Sequence, residues 1–165
     1  MRTLTVFMIL LSAAVFAADV DFSGEWVLNQ DKSEFPEMSE SRGPGDGRRF
    51  AAANLTITQK ENELTVSRAM IGRSGEERVR ETVYDLSGKT TKQEGRRGPT
   101  MHTAKVEDNV LHIKSVRAME REGTAFEIVT TQKWSVVDDG KGLLIESSME
   151  SQRGTMESKS YYEKK

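Results

Sequence analysis

No cysteine occurs among the 165 residues, which excludes disulfides, thiolate metal sites, a cysteine nucleophile and a lipidated N-terminal cysteine. His102 and His112 are the only histidines, so a histidine-rich metal cluster is excluded too. Charge of one sign is also lacking. The chain has 24 Lys plus Arg against 26 Asp plus Glu, a formal net charge of −2. Neutralising phosphates needs a basic surface, so this balance argues against nucleic-acid partners. Beyond the N-terminus no apolar run is long enough for a membrane helix. Helical periodicity is nearly absent there, and no block recurs closely enough to be a repeat. Serines are many, but none sits in a nucleophile elbow with a histidine partner. The expectation is a protein that is not an enzyme and needs no cofactor or metal.

What is present begins with an export signal. Residues 1–17 read MRTLTVFMILLSAAVFA. Arg2 forms a short positive n-region, Leu4 to Phe16 is almost wholly apolar, and Val15 and Ala17 fit the small positions before a cleavage site. The apolar stretch falls short of the roughly 20 residues that span a bilayer. The expected organisation is a signal peptide at 1–17 and one domain at 18–165, exported to the periplasm or the medium.

The domain reads as strands and turns. β-rich runs cover about 22–28, 54–60, 63–71, 77–86, 89–94, 100–107, 109–119, 124–137, 143–150 and 155–163. Between most of them stand Asn, Asp and Gly, which tolerate the positive φ of tight hairpin turns. The longest irregular stretch, Pro36 to Phe50, is expected to be a loop, either an idle connection or a lid. Evenly spaced strands without helices predict an all-β fold, a single antiparallel up-and-down barrel of about 8–10 strands.

Residues two apart in a strand share a face. One face carries Leu64, Val66, Arg68 and Met70, then Leu111, Ile113, Ser115, Arg117 and Met119. It continues through Phe126, Ile128, Thr130, Gln132, Trp134 and Val136, through Leu143, Ile145, Ser147 and Met149, and through Met156, Ser158, Ser160 and Tyr162. These faces are apolar near the turns at 61–62, 108–109 and 138–142 and tend to become polar toward the other end. A barrel closed at one end and wet at the other has that gradient. Arg68, Arg73, Arg96, Arg97, Arg117, Arg121 and Arg153 fall toward the polar end. A guanidinium offers a planar fork to carboxylate or phosphate. Arg68 and Arg117 are therefore expected to hold an anionic head group, while the apolar end holds the tail. The competing reading pairs the arginines with Glu76, Glu77, Glu94, Glu120 and Glu122 at a solvated rim. The expected ligand-lining set is Arg68, Arg117, Ile113, Phe126, Gln132, Trp134, Ser147 and Tyr162. Other constellations are weaker. His102 and His112 are expected to be exposed strand histidines, Asp138 and Asp139 belong to a turn, Asn54-Leu55-Thr56 is a chance sequon, and Gly95-Arg96-Arg97-Gly98 is a turn or a small anion nest.

Phe22-Ser23-Gly24-Glu25-Trp26-Val27-Leu28-Asn29 contains a Gly-x-Trp element that resembles the opening motif of lipocalins and the wider calycin group. The longer string FSGEWVLNQDKSEF, with Lys32-Ser33 and the ending Tyr162-Glu163-Lys164, is similar to small exported bacterial lipocalin-like proteins. The hairpin ITQKENELTV and the turn DDGKGLLIESS are similar to that group as well, so the resemblance spans most of residues 20–165. It implies an up-and-down barrel with a cavity for a small, largely apolar molecule, and Gly24 and Trp26 as structural motif residues. It also implies a basic side chain covering the tryptophan, for which Lys159 and Lys164 are the candidates. The resulting expectation is an exported, lipocalin-like barrel binding a small hydrophobic or amphiphilic ligand. The alternative is a packed, ligand-free barrel acting through its outer surface on a protein partner in the envelope.

Overall fold

The structure is a computed structural model that describes residues 20–36, 51–71, 76–95, 98–121 and 123–165. The expected signal peptide, nearly all of the expected loop at 36–50, and Arg73, Arg96 and Arg97 lie outside them, as does the side chain of Arg121.

Ten strands follow one another: β1 Gly24–Glu34, β2 Asn54–Lys60, β3 Glu63–Ile71, β4 Glu77–Asp85, β5 Ser87–Gln93, β6 Thr100–Glu107, β7 Val110–Arg121, β8 Thr124–Val137, β9 Gly142–Ser151 and β10 Gly154–Lys164. All neighbours are antiparallel, in the order β4-β3-β2-β1-β10-β9-β8-β7-β6-β5. The result is an up-and-down barrel that is nearly closed. Its seam is between β4 and β5, which do not form a ladder. The Gln93 side chain, donating to the Glu81 carbonyl, bridges that seam.

The tight turns explain one end. Asp108 and Asn109 both take positive φ, 51° and 62°, as a two-residue hairpin turn requires. Asp138 and Asp139 do the same before Gly140. Those turns, with Glu61-Asn62, gather at the end where Trp26 pairs with Lys164.

β1 runs six residues beyond the expected end, with its register on β10 broken between Asn29 and Glu34. The side chains that carry the resemblance hold this irregularity. Ser33 donates to the Asn29 carbonyl and accepts from the Tyr161 amide at 2.9 Å. Lys32 bonds Glu163 at 3.0 Å and lies 4.6 Å from the Tyr161 ring, and Asn29 donates to the same Glu163 oxygen. Gly24, at φ 147°, lets the Lys164 stem pass close by, and Lys164 Nζ sits 5.1 Å from the Trp26 ring. Of the two candidates to cover Trp26, Lys164 therefore does so. Lys159 pairs with Glu34 on the outer wall.

Inside the closed end is a continuous apolar core. Phe22, Trp26, Leu55, Leu64, Val66, Leu111, Trp134 and Leu143 are all below 2% exposed or at it. Ile57, Ile113, Ile145, Tyr84 and Tyr162 complete the cluster. Trp26 Nε1 donates to the Phe22 carbonyl and Tyr162 Oη to the Ala52 carbonyl, so both rings are buried with their polar ends satisfied. Burial pushes the Tyr162 hydroxyl well above its ordinary range.

Candidate ligand site

The cross-strand register fixes which side chains face inward, and each row crosses the barrel wall. Leu111 opposes Trp134, which opposes Ile145; Ile113 opposes Gln132, which opposes Ser147 and then Ser158. Farther from the tight turns, His102 opposes Ser115, which opposes Thr130, and Thr100 opposes Arg117, which opposes Ile128. Last come Met119 against Phe126, and Met149 against Met156. The inward faces read from alternation are those the barrel uses.

Burial changes along these rows. The layer nearest the tight turns is closed to solvent, whereas Arg68, Ser115, Arg117, Ile128, Thr130, Gln132, Ser147, Met149 and Ser158 are all partly exposed. The gradient therefore separates a packed half from an open half. The expected tail space at the apolar end needs correction, because Trp26, Phe22 and Trp134 occupy it. Ile113, Trp134 and Tyr162 belong to that packed layer, and only their outer edges can face the open half. Arg68, Arg117, Phe126, Gln132 and Ser147 face the open half itself.

Charge inside the barrel has one sign. Arg68, Arg78, Arg80 and Arg117 occupy inward positions, and no Asp or Glu does so among the described strand residues. Arg78 pairs with Glu76 at the rim, at 2.6 Å. Arg68 and Arg117 have no carboxylate partner among the described residues. Arg78 is not among the arginines of the rim-pairing reading; for Arg68 and Arg117 no such pair is present among the described residues, and Glu122 lies outside them.

Arg68 is held by aromatic neighbours instead. Its Nη2 donates to Tyr84 Oη at 3.1 Å, and its guanidinium carbon is 5.9 Å from the Tyr84 ring centre and 5.7 Å from that of Trp134. Stacking on aromatic faces suits a guanidinium and leaves its outer donors available. Tyr84 meets His102 edge-on across the seam, with ring centres 5.3 Å apart. His102 Nδ1 and Ser115 Oγ share a hydrogen bond of 2.8 Å. Burial and then the nearby Arg68, Arg80 and Arg117 lower the His102 pKa, which favours the neutral ring.

His102 is thus not an exposed strand histidine, being only 7% exposed and inward. His112 does face out, opposite Lys105 and Lys133, so the two rings lie on opposite sides of the wall. The sequence reading missed Tyr84, His102 and Arg80. Alternation over 78–84 and 100–106 carried the signal, but the many charges at 76–81 masked the inward face.

A groove of about 890 Å³ runs along the outer wall behind the row Ile113, Gln132, Ser147 and Ser158, so three residues of the expected ligand-lining set also line it. Two outward rows flank it, including Lys105, Lys114, Lys133, Lys159, Glu146 and Glu157, with Phe35 and Pro36 beside them. Its charges are mixed in sign.

No family model matches the sequence, nor does any curated protein. Solved structures do match the barrel. Zebrafish ileal bile acid-binding protein, complexed with cholic acid, aligns over 87% of this chain and 98% of its own, with a TM-score of 0.53 and 16% identity. A secretory abundant heat soluble protein from Ramazzottius varieornatus aligns over 87% of this chain and 95% of its own, with a TM-score of 0.57 and 11% identity. The likeness is one of fold. The fold is that of a lipocalin-like, up-and-down β-barrel.

Proposed function

We propose that the protein is exported and carries a small amphiphilic anion in the open half of its barrel, with the anionic end innermost. One observation carries the reading: the inward charges of that half are arginines, and Arg68 and Arg117 face it without a carboxylate partner among the described residues. Unpaired guanidiniums held near a packed apolar layer favour an anion strongly. Beyond them Phe126, Met119, Met149 and Met156 offer apolar and adaptable contacts to the body of the ligand. The bile acid-binding neighbour supports this reading through a shared fold with a bound amphiphile.

The direct test is calorimetric titration with decanoate, decyl sulfate and uncharged decanol. The two anions should bind at least tenfold more tightly than the alcohol. Arg68→Ala combined with Arg117→Ala should remove that margin while the far-UV dichroism stays that of the parent. Equal affinity for the alcohol would sink the reading. Export is tested by the intact mass of the protein recovered outside the cytoplasm, which should lack residues 1–17. The second reading, a surface acting on a protein partner, draws on the outer groove. It would gain if no anionic amphiphile bound while charge reversal at Lys133 and Lys159 released a specific partner.

A further inference from the structure

The donors around the expected head group are more numerous than a carboxylate can use. Arg68 comes from β3 and Arg117 from β7, so they approach from opposite sides of the seam. His102, on β6 between them, is more than nine-tenths buried, and its Nε2 has no hydrogen-bond partner. Arg117 Nε is also buried and unpartnered. Buried donors of this kind are ordinarily satisfied, and an orphan calls for an explanation. If the Ser115 hydroxyl donates to Nδ1, the ring proton belongs on Nε2 and Nε2 is a donor. A carboxylate has two oxygens, and one guanidinium fork satisfies both. Two guanidiniums and an imidazole N–H from three strands match three oxygens that do not lie in one plane.

We propose that the head group is a tetrahedral oxyanion, a sulfate, sulfonate or phosphate, held by Arg68, Arg117 and His102 Nε2 across the seam. This rests on the amphiphile reading above and adds the chemical class of the ligand. One consequence is a proton taken up on binding. The groups facing His102 are Arg68 from β3, Arg80 and Tyr84 from β4, Thr91 from β5, and Ser115 and Arg117 from β7, with no carboxylate among them. Among the described residues no negative charge faces the ring, so an anion at Nε2 favours the imidazolium.

The experiment compares decyl sulfate with decanoate by calorimetry from pH 8 to pH 6, a range in which decyl sulfate stays fully ionised, with the preference between the two read at pH 8, where decanoate is ionised too. Decyl sulfate should bind at least tenfold more tightly, gain affinity several-fold as pH falls, and take up a fraction of a proton in buffers of differing ionisation enthalpy. His102→Gln should remove the pH slope and most of the preference, whereas His112→Gln should leave both. Proton uptake by the unaltered protein keeps the test independent of how the variant folds. Decyl phosphate then separates the phosphate class from the sulfate class. Decanoate binding as tightly as decyl sulfate, or a pH slope that survives His102→Gln, would overturn the proposal while leaving the amphiphile reading intact. Binding of neither anion would overturn both.

Discussion

The two halves of this barrel are made by the same strands and differ in what those strands turn inward. Toward the tight turns most strands contribute Leu, Ile, Val or Trp, with Tyr84 from β4 and Tyr162 from β10, and the side chains meet with almost no surface left. Toward the other end the same strands contribute Arg, Ser, Thr, Gln and Met, and solvent reaches most of them, Thr100 being buried. The first half has the composition of a core, and its cost of disruption should be that of a core. The second half has too much charge of one sign to be stable for its own sake. Like charges brought together without partners lose stability rather than gain it. That contrast separates the residues that serve folding from those that folding does not require.

The largest effect should come from the packed half. Trp134→Ala is expected to cost about 3–5 kcal/mol in denaturant unfolding, as large-to-small core changes do. Phe126→Ala, in the partly exposed half, should cost well under half as much; parity between the two would break the comparison. Next is the motif glycine. Gly24→Ala places a Cβ 2.8 Å from the Lys164 side chain at a φ that disfavours it, so a loss of about 1–2 kcal/mol and a shift in Trp26 fluorescence are expected.

Arg117→Met should then go the other way, raising Tm slightly or leaving it unchanged while affinity for decyl sulfate falls. A clear drop in Tm would make that arginine structural. A weaker effect concerns pH. Burial and three guanidiniums hold His102 below its ordinary value of 6.5, so on acidification the unfolded chain binds the proton first. The stability conferred by the neutral ring is complete above about pH 6.5 and declines below it, until the folded ring also titrates. Thermal unfolding at pH 7.5 and 5.5 should show a larger fall for the parent than for His102→Gln. The smallest effect belongs to the exposed Lys32–Glu163 pair, whose removal by Lys32→Met should barely move Tm.

Much of this was legible in the chain itself. Strand alternation with Asn, Asp and Gly at the turns predicted nearly all strand bounds within a residue or two, because turn chemistry and the two-residue period are local. The inward placement of Arg68 and Arg117 followed from the same period. Three things were not local. The extension of β1 depends on Ser33 finding the Tyr161 amide on β10, more than 120 residues away. That Trp26 plugs the closed end could be read from its size, but the filling of that end depends on Phe22 and Trp26 meeting Trp134 from a distant segment. The surroundings of His102 depend on Tyr84 and Arg68 coming to it across a seam that no strand pattern announces.

That seam also divides the chain as a folding problem. Every ladder joins sequence neighbours except that of β1 with β10, and the one neighbouring pair without a ladder is β4 with β5. The barrel is therefore two meanders, one of four strands and one of six, joined by their outermost members. Each meander can form from short-range contacts alone, whereas their union must close a loop of more than 100 residues. Closing that loop is the slow step such a topology predicts. In pulsed hydrogen exchange during refolding, the amides shared by β1 and β10 should gain protection after those within either meander.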